Sequence, residues 1–119
     1  MLAVEVKRSK WFRGHGGDRS KLLIPETGEM CCLGFACLVA GLTKADISDR
    51  QTPSQCHFSP DNCVPVGLST LVDYESDTGI CSDLMRENDV TLNPEDEAGR
   101  EAHLTFLGKL AEIDFTFVD

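Results

Sequence analysis

The chain has 119 residues, 41% of them hydrophobic and 26% charged, which is one domain's worth of sequence with enough apolar material for a core. That balance excludes a disordered or collagen-like chain. Eleven basic against 20 acidic residues give a net charge of −9, which disfavours direct binding to nucleic acid or to an anionic membrane.

The charge is unevenly spread. Residues 1–24 hold six basic and two acidic residues, and residues 25–119 hold five basic and 18 acidic. The acidic part therefore suits a protein that docks on a basic partner surface. The N-terminus has no apolar stretch of signal-peptide type, and the longest apolar run, residues 30–42, is too short to span a bilayer. A cytoplasmic protein without membrane association is expected.

In chain order, residues 2–7 alternate, with Leu2, Val4 and Val6 on one side and Ala3, Glu5 and Lys7 on the other, which predicts a half-buried strand. Ser9 is placed to cap a short helical turn carrying Trp11 and Phe12. Gly14, His15, Gly16 and Gly17 form a glycine-rich loop between Arg13 and Arg19. Residues 21–24 read as a second strand and residues 25–29 as a turn.

Residues 30–42 are apolar all round and predict a buried central helix, with Gly34 admitting a close neighbour and Gly41 ending it. Thr43 is suited to cap a short helix over residues 44–48. Residues 49–79 contain Pro53, Pro60 and Pro65 and read mainly as loop. Residues 80–87 read as a helix ended by Asn88 and Asp89. Asn93 and Pro94 then open an amphipathic helix with Glu95, Asp96 and Glu97 in its first turn. Its apolar face is expected at Ala102, His103, Phe106, Leu107 and Leu110, with His103 a core histidine. Residues 113–118 alternate as a last strand, a natural neighbour for the first. The expected fold is a single α+β domain over residues 1–119, with a small, mostly antiparallel sheet packed on a buried central helix and an amphipathic C-terminal helix.

Three groups of residues have chemical potential. Cys31 and Cys32 open the apolar helix, where backbone N–H groups favour a thiolate. They precede His57 and then Asn88 or Asp89, the chain order of a cysteine-based hydrolase or transferase. Cys56, His57, Cys63 and Cys81 offer soft metal donors, but their spacing matches no zinc pattern, so no metal and no cofactor is expected. The glycine-rich loop with Arg13 and Arg19 is suited to an anion, although it lacks the P-loop spacing. No acid–base pair stands out, so binding is expected rather than turnover.

Three stretches together resemble a known family. Lys10-Trp11-Phe12-Arg13-Gly14, then Gly28-Glu29-Met30-Cys31-Cys32-Leu33-Gly34-Phe35, then Leu84-Met85-Arg86-Glu87-Asn88-Asp89 are similar to an uncharacterised family of small proteins encoded by bacteriophages and their bacterial hosts. Its pattern reads W-x-R-G, K-M-C-C-L-G and then N-D. This chain has Glu29 where that pattern has Lys. The resemblance implies an accessory protein that binds and antagonises a host factor, most naturally a defence component, in the host cytoplasm. The partner is then a host protein with a basic surface. The alternative is a nucleotide-like immune signal held in a pocket lined by Trp11, Arg13, Cys32, Asn88 and Asp89. Trp11 offers a stacking face, Arg13 a planar fork, and Asn88 both donors and acceptors. The competing explanation is architectural: Trp11 fills the core, Arg13 pairs with Asp89, and Asn88 caps a helix.

Overall fold

The computed structural model describes residues 2–13, 21–50, 80–89 and 97–119, with the backbone alone for Ile80, Cys81, Ser82, Arg86, Asp89 and Glu97. The elements in order are strand β1 (Leu2–Lys7), a 3-10 turn (Arg8–Lys10), helices α1 (Cys32–Val39), α2 (Lys44–Ile47), α3 (Ile80–Asp89) and α4 (Glu97–Leu110), and strand β2 (Ile113–Val118). The helices and a two-stranded sheet share a core that includes Val4, Val6, Leu22, Leu33, Ile47, Leu84, Leu104, Ile113 and Phe115.

Both strands occupy the spans their alternation predicts. Val4 and Val6 turn inward from β1, Ile113 and Phe115 from β2, and Glu5 and Asp114 face out. They are neighbours, but they run parallel, with Leu2 opposite Ile113 and Lys7 opposite Val118. The expectation of an antiparallel sheet is thereby corrected. Parallel neighbours need a crossover rather than a hairpin, and the helical chain between the two strands supplies it. The entry to β2 is a tight reversal: Glu112 takes a left-handed φ of 63°, and its N–H bonds the Lys109 carbonyl.

Residues 21–24 do not form the second strand. Their backbone groups are divided among separate partners, the Leu23 carbonyl accepting from Asp49. The Lys21 carbonyl accepts from Cys31, the Leu22 N–H goes to Arg50, and Ile24 closes the following turn onto Glu29. Only a single parallel bridge, Leu23 with Ser48, resembles a ladder. A second isolated bridge joins Trp11 to Met30, so Trp11 follows the 3-10 turn as extended chain instead of lying within a helix.

Helix α1 is shorter than residues 30–42, and its first six residues are buried. It lies so close to the preceding segment that a Cβ on Gly34 would fall 1.9 Å from the Leu22 carbonyl oxygen. Gly41, at φ 112°, ends this region with a backbone that side chains rarely adopt. Thr43 caps α2 as expected: its hydroxyl accepts from Asp46 N–H, and the Asp46 carboxylate accepts from Thr43 N–H. Those bonds hold the Asp46 carboxyl below its ordinary pKa, the backbone bond contributing most. Helix α3 runs two residues further than residues 80–87 and takes in Asn88 and Asp89.

The buried face of α4 differs from the expected one. Arg100, Leu104, Leu107, Gly108 and the following Ala111 turn inward, while Ala102, His103, Phe106 and Leu110 are exposed. Both stripes have helical spacing, and the tertiary contact decides between them. A Cβ on Gly108 would fall 2.5 Å from the Phe115 ring, so this glycine is what lets β2 close on that side of the helix. His103 is accordingly no core histidine. Its Nδ1 lies 2.9 Å from a carboxylate oxygen of Glu87 on α3, and its ring stacks near Phe106. The proposed cap at Asn93 and Pro94 lies outside the described residues. No helix among the described residues is long and apolar enough to cross a membrane.

Candidate functional site

The centre of the candidate site is Asn88, fully buried near the C-terminus of α3. Its side chain gathers three separate parts of the chain. Oδ1 accepts the indole Nε1–H of Trp11 at 2.7 Å and the backbone N–H of Cys32 at 3.1 Å. Nδ2 donates to the Phe12 carbonyl at 3.1 Å. These bonds bring the W-x-R-G stretch, the C-C-L-G stretch and the N-D stretch together at one point.

Local sequence explains why such a group is needed. Helix α1 begins after Cys31, which makes no side-chain capping bond. The first N–H groups of a helix have no partner within it. Asn88 therefore caps α1 across 56 residues of sequence. The same oxygen satisfies the indole N–H, which burial of Trp11 (3% exposed) would otherwise leave without water.

Arg13 lies half-buried over the Trp11 face, its guanidinium carbon 4.6 Å from the ring centroid. That is cation–π distance. Phe117 of β2 flanks the same indole at 4.7 Å between centroids. Four of the five residues singled out as a lining, Trp11, Arg13, Cys32 and Asn88, are thus brought together. The side chain of Asp89 lies outside the described residues, and so does any pairing of it with Arg13.

Arg100 was not legible as part of this cluster. It is buried on α4, and its Nη1 donates to the Asn88 backbone carbonyl at 3.4 Å. Its signal in the sequence is its position: it stands four residues before Leu104 and seven before Leu107, on the stripe that proves to be the inner one.

Cys31, Cys32 and Cys37 are all buried. The other members of the cysteine and metal groupings, Cys56, His57 and Cys63, lie outside the described residues, as does the side chain of Cys81; so do Gly14, His15, Gly16, Gly17 and Arg19 of the glycine-rich loop. Among the described residues, no three His, Cys, Asp or Glu side chains converge as a metal site would require.

A second polar cluster ties the chain ends to α4. Arg8 Nε and Nη2 reach the two carboxylate oxygens of Glu101 at 2.9 and 2.8 Å, and Nη1 reaches Asp119 at 2.9 Å. The fork geometry is the bidentate one that arginine favours. The hydrogen bonds to Glu101 and then to Asp119 raise the guanidinium pKa further above its usual range.

In comparisons with known proteins, no family model, no curated protein and no solved structure matches this chain.

Proposed function

We propose that the protein is a small acidic binding protein of phage accessory type, which docks on a basic surface of a host protein, most naturally a defence component, and blocks it. The observation that carries this reading is the internal use of the Asn88 side chain. Among the described residues, its Oδ1 accepts from Trp11 and Cys32 and its Nδ2 donates to Phe12, all of them parts of the fold. Polar groups spent on one another in a buried cluster hold elements together and are not on offer to a ligand. The thiols of Cys31 and Cys32 are buried in the hydrophobic core, which weighs against a nucleophile. What is left to recognise a partner is the surface, and residues 25–119 carry 18 acidic residues against five basic ones.

A second reading, the sequestration of a nucleotide-like signal, draws support from one observation. Arg13 stands half-buried at the face of Trp11, next to the glycine-rich stretch, where a guanidinium suits phosphate.

The test is purification from a bacterial cytoplasm at low and at high salt. Docking by charge predicts a basic protein that co-elutes at about 0.05 M salt and is lost at about 1 M, because the Debye length shortens from over 10 Å to about 3 Å. Absence of any salt-sensitive partner contradicts the reading.

A further inference from the structure

We propose that the outer edge of β1 pairs with the same edge of a second copy of this chain, in the register that sets Glu5 of each copy against Lys7 of the other. Parallel sheets are ordinarily covered on both faces, and two strands alone are marginal. Here two parallel strands stand together, and Ala3, Glu5, Lys7, Asp114 and Thr116 are exposed on their outer face.

Backbone geometry identifies the edge. The Leu2 N–H bonds the Glu112 carbonyl at the start of β2. Successive residues of a strand turn their peptide groups to opposite edges, so Leu2, Val4 and Val6 serve β2 while Ala3, Glu5 and Lys7 turn theirs away from it. Among the described residues, none bonds the N–H of Ala3, Glu5 or Lys7, or the carbonyl of Ala3 or Glu5. Such a row is a template for a further strand. The far edge of β2 is crowded at its start, where a Cβ on Gly108 of α4 would fall 2.9 Å from the Ile113 carbonyl oxygen.

The side chains on this edge select the occupant. Glu5-Val6-Lys7 is self-complementary when two copies run antiparallel about a two-fold axis at Val6. Each exposed Glu5 then faces an exposed Lys7 across the strands, twice over, and Val6 meets Val6 on the inner face. The Lys7 N–H of one copy donates to the Glu5 carbonyl of the other. Sliding the pair by two residues would oppose Glu5 to Glu5, like charge to like. A net charge of −9 repels a second copy in general. Around β1, however, Lys7 and Lys10 stand with Glu5, and Arg8 is held by Glu101 and Asp119, so the acidic excess lies elsewhere. Pairing makes a four-stranded sheet in the order β2, β1, β1, β2, which is of ordinary size. This inference stands independently of the docking reading.

The experiment is sedimentation equilibrium of the full chain over a range of concentrations. The parent is expected to pass from monomer to dimer. Glu5→Lys sets Lys against Lys twice, and Lys7→Glu sets Glu against Glu twice, so each alone should weaken the dimer by about tenfold or more. Glu5→Lys changes the net charge from −9 to −7, so general repulsion alone predicts stronger association where the pairing predicts weaker. Mixing the two single variants restores both pairs and should give a heterodimer, and the double exchange should dimerise like the parent. Both side chains are exposed, so circular dichroism of every variant should match the parent; an unfolded single variant contradicts the exposed placement on which the proposal rests. A parent that stays monomeric into the millimolar range overturns the proposal. So does a dimer that the single changes leave intact, or one that neither mixing nor the double exchange restores.

Discussion

The indole N–H of Trp11 and the Oδ1 of Asn88 meet at 2.7 Å, although 77 positions separate them in the chain. The same oxygen caps helix α1 at Cys32. One amide side chain therefore fixes the chain after β1, the start of α1 and the end of α3. The three stretches that look most distinctive in the sequence meet at this joint.

Replacing that amide should be costly. Asn88→Ala leaves two buried donors without their acceptor, each worth about 1–3 kcal/mol. A loss of about 2–5 kcal/mol is expected in urea unfolding, together with faster hydrogen exchange at the Cys32 amide. A loss below about 1 kcal/mol would show that water or a neighbour takes over both bonds.

Gly34→Ala should be among the most damaging small substitutions. The new Cβ meets the Leu22 carbonyl oxygen at 1.9 Å, and that atom is backbone. The expected cost is at or above the top of the roughly 1–3 kcal/mol usual for overpacking, read as a lower melting temperature. Gly108→Ala strikes the Phe115 ring first, which can shift, so its cost should be smaller.

The Arg8 cluster should respond unequally to loss of its two acids. Glu101 accepts two bonds and is 17% exposed, whereas Asp119 accepts one and is 97% exposed. Glu101→Gln is expected to lower the melting temperature more than Asp119→Asn, and high salt should narrow the difference. Equal effects would show that the cluster is no more than surface charge.

The capping box of α2 gives a pH signature. The Asp46 carboxyl is depressed in the folded chain, so its contribution is present above the unfolded pKa and is lost as pH falls through the folded one. A carbon-detected NMR titration should find Asp46 below its ordinary value. Thr43→Ala should raise that midpoint and flatten the matching step in stability against pH. An unchanged midpoint would contradict the box.

Much of the local structure was legible because it rests on short-range rules. Alternation located β1 and β2, and Thr43 as a cap located the start of α2. What was not legible depends on contacts between distant residues. The parallel pairing follows from where the crossover leaves the chain. The rotation of α4 follows from Gly108 meeting Phe115, and a sequence with two helical stripes favours the one richer in large apolar residues. The residues of the candidate site were largely legible as a set, and a cap was the architectural alternative for Asn88, but the helix it serves was not legible, because the start of α1 lies 56 positions away. Arg100 was missed because a buried arginine on a helix looks in sequence like any exposed one.

The most direct test of the central claim is a mass spectrum of the small molecules released when the protein, purified from a bacterial cytoplasm, is heat-denatured. If Trp11, Cys32 and Asn88 serve the fold and the surface does the binding, no nucleotide should appear in stoichiometric amount. A nucleotide released one per chain, and absent from an Arg13→Ala variant that remains folded, would contradict the account and place the ligand at the face of Trp11.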